Sequence, residues 1–542
     1  MHFLGTTDKL FVILYFIVIA GVSVWSIRKS KNSPTDYFLA NRNLGWWVIG
    51  ASILASNVGS EHIVGLAGTA ADSGVVFGHY ELHSWIVLTL GWLFVPFYMR
   101  SMVYTMPEFL ERRFNPQARR LLSIIQLLSY VIAKAAVTIY AGAIVFNSLL
   151  GVDFWTGAII LVLITGVYTV LGGLHAVMYT EAIQAIVLLV GSGVLLFIGL
   201  DKVGGWHGLV SSLPKAKLNM FPPLNDPHPW LGILFAAPIV GIWYWCTDQH
   251  IVQRCLAGRD EKQARRGTIF AAYLKLFPFF IFMIPGLIAF ILNQQGKLHL
   301  TDTDQAFPTL VKTIMPIGLR GLLAGGLLAA LMSSLASVYN ACSTLFTMDI
   351  YQKMKPQASN KELVRVGRIA TGVVVLLGMA WIPLMKFISK GLYGYLQSVQ
   401  SYLAPPIAAA FLLGVFSKRI NAKGAYSAMV AGFIIGLLKL VFELLQTQLP
   451  QGSILYQFGT MNFFYFCIFL FVLSIAIMIV VSLLTPKPNE EQIKGLTFAT
   501  TVAEDKVASR ASWNKWDVIL SLIVVAIVVA VFIYFSPLGV AK

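Results

Sequence analysis

Residues 55–74 read ASNVGSEHIVGLAGTAADSG. Four polar side chains, Asn57, Ser60, Glu61 and His62, fall within six residues there, around Gly59 and ahead of Gly65 and Gly68. A second stretch, LGILFAAPIVGIWYWCTDQHIVQR at 231–254, sets Pro238 and Gly241 near its middle and follows them with Asp248, Gln249 and His250. Glu81 in GHYELHSW and Lys275 in YLKLF are isolated charges in apolar runs, and Ser333 adjoins Ser334 in LMSSLAS. Helices broken near the middle of a membrane expose carbonyl oxygens that can hold a coupling ion. Charges at that depth are costly and are kept where they pair or meet a ligand. The plainer alternatives are a polar kink packed on a neighbouring helix and serines bonded back to their own turn.

The elements that must position these groups are membrane helices. Of 542 residues, 57% are hydrophobic and only 12% charged, with mean hydropathy +0.75. A soluble chain carries about a quarter charged residues. Apolar segments of the length that crosses a bilayer, about 20 residues, recur throughout, and their pattern predicts about 14 spans. The net charge of +16 is explained by where the charges fall. Most basic residues, among them Arg112, Arg113, Arg119, Arg254, Arg265, Lys353, Arg368, Lys418 and Lys494, fall in alternate loops, with few, such as Lys202, Lys215, Lys386 and Lys390, on the other side. This bias predicts a multi-pass protein of a plasma or bacterial inner membrane with both termini outside, and it leaves no need for a nucleic-acid partner. Cys246, Cys255, Cys342 and Cys467 lie in or near spans, so no disulfide framework is expected. No segment is large enough for a soluble catalytic domain, which argues against an enzyme.

The two interruptions lie five spans apart. That spacing predicts two inverted five-helix repeats, about 45–200 and 229–416, joined by a 201–228 extracellular loop. An N-terminal helix and first cytoplasmic loop (1–44) precede them. The C-terminal helices (417–542), with a cytoplasmic linker at 485–515, follow. Inverted repeats require the two broken spans to run in opposite directions, and the charge pattern gives that.

The stretches ASNVGSEHIVGLAGT, WYWCTDQHIVQRCLAG, LMSSLASVYNACSTLFTMDIYQK and YLQSVQSYLAPPIAAAFLLGVFSKR resemble the sodium/solute symporter family, specifically its sodium/glucose cotransporter branch, from about Tyr37 to Arg419. The resemblance implies a leucine-transporter-type core and sodium-coupled uptake of a glucose- or galactose-like monosaccharide by alternating access. A polyol such as myo-inositol or another small organic solute is the alternative substrate, a symporter for an amino acid or carboxylate is the nearest competitor, and a membrane sensor or channel is the distant reading. It places sodium on the carbonyls of Ala55, Val58 and Ala330 and the hydroxyls of Ser333 and Ser334. Glu181 and Ser337 fall where some relatives have a second ion or an exit route, but Ala336 has no hydroxyl to offer, so one sodium per cycle is expected. The sugar positions fall on His62, Glu81, Ser84, Lys275 and Gln397, with Trp245 lining the pocket. Tyr244, bonded to Asn57, matches the inner gate, and Leu66 and Tyr393 the outer cap. Gly241 stands where some bacterial sugar relatives carry an asparagine ligand, and Asp72 and His83 read as rim groups. No obligatory protein partner is expected.

Overall fold

Polarity in this molecule is turned inside out. The computed structural model describes residues 4–29, 34–59, 61–385 and 392–542; Ser60, Lys31, Lys386 and Lys390 lie outside the described residues. Its outer surface carries fully apolar side chains such as Leu10, Leu163, Val190, Phe197 and Leu522, a covering that only a lipid-like solvent accommodates. Buried polar and charged groups, including Glu81, Glu181, Arg254 and Asp248, gather at the centre instead. Among the described residues all regular structure is helical. Eleven stretches of the described residues are long and apolar enough to cross a membrane. The most enclosed is Leu319–Met354, 94% buried over its apolar window, and the least is Lys515–Tyr534 at 17%, so the serine-pair helix is the axis around which the others pack.

The helical runs do not map one to one onto the hydropathy peaks. Glu61–Ser101 forms one stretch of 41 residues, while Trp46–Asn57, with 12, is too short to cross alone. Phe154–Lys202 is a single helical run over two expected spans. Its first part packs antiparallel to Ala136–Leu150, through Gly142 on Leu161 and Phe146 on Gly157. Its last part packs antiparallel to Leu319–Thr344, through Gly326 on Val187 and Gly191 on Leu323. Leu4 donates its N–H to the Leu149 carbonyl, and Asp8 accepts from the N–H groups of Gly318 and Gly321. The two partner helices therefore have Leu149 and Leu319 at one level, and the run must reverse direction between Leu161 and Val187.

Asp8 also holds Arg320, 2.9 Å from its Nε. A carboxylate on the free N–H groups at a helix start satisfies orphan donors and the positive end of the dipole, so the first helix anchors the serine-pair helix at that end. The helix entering the first break is fixed by close approach. Trp46–Asn57 lies on Glu261–Leu274 so tightly that a Cβ on Gly50 would stand 2.7 Å from the Gly267 carbonyl oxygen and 2.6 Å from the Phe270 ring. Small residues at such crossings let two backbones meet where lipid supplies no hydrophobic drive. Gly50→Leu is expected to overpack this crossing and cost about 1–3 kcal/mol or more. A lowered Tm of the purified protein in detergent is the readout; an unchanged Tm would show that the crossing is not rigid.

Candidate functional site

The helix Trp46–Asn57 stops because Val58 leaves the helical region (φ −77°, ψ 100°), its N–H donating to the Leu54 carbonyl at 2.7 Å. The chain restarts as wide π-type turns, Glu61–Leu66, with His62 and Ile63 donating to the Gly59 carbonyl at 3.1 and 3.2 Å. A helix end leaves its last carbonyls without an intrahelical donor. With that of Leu54 taken, those of Ala55, Ser56 and Asn57 are the oxygens the break releases. Gly59 then lies directly on the serine pair: a Cβ there would stand 2.7 Å from Ser334 Oγ and 2.9 Å from a Glu61 carboxylate oxygen. Ser333 Oγ is buried with no hydrogen-bond partner among the described residues. A helix end beside a pair of hydroxyls, one of them unsatisfied, is the kind of oxygen-rich place a coupling ion takes up. Of the residues expected to hold sodium, Ser334 lies against the break at Gly59, with Ser333 beside it and Ala330 one turn earlier on the same helix.

Glu181 is buried against the same helix, Trp46–Asn57, and is already engaged. Ser52 and Ser337 both donate to it, Ser56 donates at 3.3 Å, and Arg254 Nη2 pairs with Oε1 at 2.9 Å. Arg254 also reaches Ser337 Oγ at 2.6 Å and the His250 carbonyl. The reading of Arg254 as a cytoplasmic loop charge is thereby corrected: its side chain is fully buried. It belongs to the helix Gln249–Leu256 that restarts after the second break, and one turn inward from His250 is still inside the packed core. Arg113, Arg119 and Arg265, also read as loop charges, are buried too, because carbonyls and carboxylates at the helix ends receive them.

The second break mirrors the first. Trp230–Gly241 passes into π-type turns at Ile242–Thr247, Asp248 is extended (φ −78°, ψ 129°), and Gln249–Leu256 follows. Asp248 is held by Lys134 Nζ at 2.8 Å and by the Tyr130 hydroxyl, and Lys134 sits 4.3 Å from the Tyr244 ring centroid. Lys134 escaped the sequence reading, although YVIAKAAV shows the signal that marked Glu81 and Lys275: one charge in an apolar run.

Between the breaks lies a cavity of about 40 Å³, on a scale where one water needs roughly 10–15 Å³. Glu81 is its hub. Lys275 Nζ lies 2.6 Å from Oε2, His62 Nε2 lies 3.1 Å from the same oxygen, and the Tyr393 hydroxyl donates to Oε1 at 3.2 Å. Trp245 lines it with its ring 5.5 Å from the Lys275 ammonium. Asn57 Nδ2 donates to the Tyr244 hydroxyl at 3.1 Å, while Asn57 Oδ1 and Gln397 Oε1 have no partner among the described residues. His62, Glu81, Trp245, Lys275, Gln397, Asn57, Tyr244 and Tyr393 thus meet around one space. Ser84 and Leu66 do not line it: both are fully buried, Ser84 at the start of Ser84–Thr89 and Leu66 at the end of the first π-turns. In place of Ser84, the preceding residue His83 faces the cavity, and Glu61 and Gln400 join the lining.

Thr303–Gln305 lies so close to Gly68 that a Cβ there would stand 2.8 Å from the Thr303 carbonyl oxygen and 2.9 Å from Asp304 Oδ1. Burial, and then the charge of Asp302, push the Asp304 carboxyl up to about 7, against the lowering effect of the Leu392 N–H.

Two helix breaks thus flank a polar central cavity inside a shell of apolar helices, the interior of a multi-pass membrane protein. The chain belongs to the sodium:solute symporter family, whose model matches residues 37–432. It is 36% identical over 556 residues to sodium/glucose cotransporter 4 of Danio rerio, across 94% of this chain and 84% of the relative. To sodium/glucose cotransporter 1 of Ovis aries it is 39% identical, across 89% and 79%. Among solved structures, a substrate-bound, outward-open Na+-coupled sialic acid symporter is similar with a TM-score of 0.75 at 22% identity, over 90% of this chain and 99% of its own. A nucleobase-cation-symport-1 family transporter, closed with bromovinylhydantoin bound, gives 0.53 at 15% identity, over 85% and 98%. The likenesses to solved structures carry the fold.

Because the Asp304 carboxyl is raised where its turn packs on Gly68, it favours that packing fully below the ordinary carboxylate value, about 4, and the contribution is lost as pH rises through about 7. A nitroxide on Thr301→Cys is expected to gain mobility as outside pH rises from about 5 to about 8, and Asp304→Asn to abolish the change. A pH-dependent line shape that survived Asp304→Asn would assign the effect elsewhere.

Proposed function

We propose that this chain is a sodium-coupled secondary active symporter that takes up a neutral monosaccharide, glucose- or galactose-like, by alternating access. The observation that carries the reading is the seating of one helix break between two sites. Gly59 lies on Ser334, and three residues later His62 points at Glu81 in the central cavity. An ion that orders the released carbonyls orders the start of the π-turns, and those turns present His62 to the sugar. Two ligands that favour the same arrangement of one segment are coupled by thermodynamic necessity. The cavity suits a hydroxylated, uncharged ligand: Lys275 is taken up by Glu81 and so offers no free cation to a carboxylate, while the oxygen of Gln397 and the face of Trp245 are available to hydroxyls and C–H surface. Both relatives named above are sodium/glucose cotransporters, which supports a sugar over a carboxylate or amino acid.

In this reading sodium is held by the carbonyls of Ala55, Val58 and Ala330 and the hydroxyls of Ser333 and Ser334. One ion moves per cycle, since Glu181 is engaged by Arg254 and three serines. Tyr244 closes the inner side and Tyr393 the outer. About 14 spans, with repeats at 45–200 and 229–416 and both termini outside, complete the architecture. The matching extended residues Val58 and Asp248, each between a helix and its restart, support the repeat relationship.

Uptake of radiolabelled sugar into proteoliposomes, with a competitor panel and with sodium or choline outside, tests the proposal; uptake driven by a pH gradient in sodium-free buffer would overturn sodium coupling. Ser334→Ala removes one oxygen ligand, worth about 1–3 kcal/mol at a desolvated site. The sodium concentration for half-maximal uptake is expected to rise roughly 5- to 150-fold, and an unchanged sodium dependence would take Ser334 out of the cage. Gln397→Ala is expected to weaken sugar uptake over a similar range while leaving sodium binding intact by calorimetry. Unaltered uptake and selectivity would make Gln397 a packing residue.

A further inference from the structure

Beside the sugar cavity stands an imidazole that the proposed function does not use. His83 is 4% exposed and forms part of the cavity wall, and its Nε2 is buried with no hydrogen-bond partner among the described residues. Buried polar atoms are almost always paired, and an orphan calls for an explanation. The neutral ring has one donor and one acceptor nitrogen, which is what a sugar hydroxyl meets well in either sense.

The ring reaches this position through a gap. Gly241 lies opposite, and a Cβ there would stand 2.9 Å from His83 Cε1, 3.0 Å from its Nδ1 and 2.5 Å from Ile86 Cδ1. Any larger residue must push the imidazole aside. The backbone of Gly241 does not itself call for glycine, because φ −61° and ψ −43° are ordinary helical values. Glycine within a helix is unfavourable relative to alanine, so its presence here is explained by the space it leaves.

Resting on the sugar reading above, we propose that His83 is a direct ligand of a sugar hydroxyl and that Gly241 is the glycine that admits it, so that the pair sets which hydroxyl pattern the pocket accepts. The competing role is a purely steric one. The same ring edges a lipid-facing groove of about 510 Å³ lined by Trp85, Leu88, Leu234 and Val525, and a wall there needs volume rather than a nitrogen.

The test uses the full-length protein in proteoliposomes, the sugar from the competitor panel that it transports best, and the full set of that sugar's monodeoxy analogues. In the wild type at least one analogue is expected to bind worse by roughly 5- to 150-fold, the range for one hydrogen bond at a desolvated site. His83→Leu keeps the volume and removes the nitrogens. It is expected to weaken the parent sugar over that range and to bring one analogue level with the parent, leaving the other analogues' relative penalties unchanged. Gly241→Ala is expected to reproduce this pattern, and the double variant to be no worse than His83→Leu alone, since both act on one contact. His83→Gln, which restores a donor and an acceptor, is expected to recover part of the affinity. Sodium-induced tryptophan fluorescence at wild-type sodium concentrations shows that each variant is folded; if His83→Leu lacks it, His83→Gln and Gly241→Ala carry the same comparison. Wild-type affinity and analogue pattern in His83→Leu, or additive losses in the double variant, would overturn the assignment. A wild-type protein that accepts no sugar from the panel would overturn the sugar reading itself and this assignment with it.

Discussion

A helix cannot be interrupted within hydrocarbon unless something other than water satisfies the backbone it exposes. That constraint organises this molecule. The chain breaks at Val58 and again at Asp248, and at each place the surroundings are built to receive the break. Gly59 lets the first rest on Ser334, and Asp8 and the close crossing at Gly50 hold the two helices that meet there. At the second, the Asp248 side chain accepts from the His250 N–H at the start of the new helix, and Lys134 and Tyr130 hold that carboxylate from a third helix.

The charges obey a related rule. Glu81 is matched by Lys275 and His62, Glu181 by Arg254, and Asp248 by Lys134. Stranding one member of a buried pair costs about 3–5 kcal/mol, whereas an intact pair is close to neutral. Such pairs therefore specify neighbours more than they add stability. Each joins segments far apart in sequence, and together they bind the two breaks to the helices between them. The central cavity is a by-product of this scheme: it is the space left where paired charges and unpaired amide oxygens face one another.

Much of this could be read from the residues. Glycine and proline inside apolar runs marked both breaks, and isolated charges marked Glu81 and Lys275 as partners before any distance was known. What could not be read followed from helix phase and ends. Ser84 and His83 are adjacent, and only the rotation of a short helix decides which faces the cavity. Arg254 looked like a loop charge because hydropathy drops after Asp248, yet the restarted helix carries it back into the core. Helix boundaries were not legible either, since a hydropathy window shows neither where the short Trp46–Asn57 stops nor that Phe154–Lys202 forms one run over two expected spans.

The guanidinium of Arg254 joins Glu181, the serine-pair helix and the carbonyl of His250 at one point. Kept dry, this junction behaves as a strut, because separating its charges in a medium of low polarity is prohibitive. Once water reaches it the same separation becomes cheap, since hydrated ion pairs hold together by about 1 kcal/mol or less. The mechanical strength of the inner half is thus a function of its own wetness. The first waters to enter loosen the strut, and loosening admits more. Such a junction favours two conditions, sealed or flooded, over anything between them, and a carrier that must never be open on both sides at once is served by having no stable half-open state.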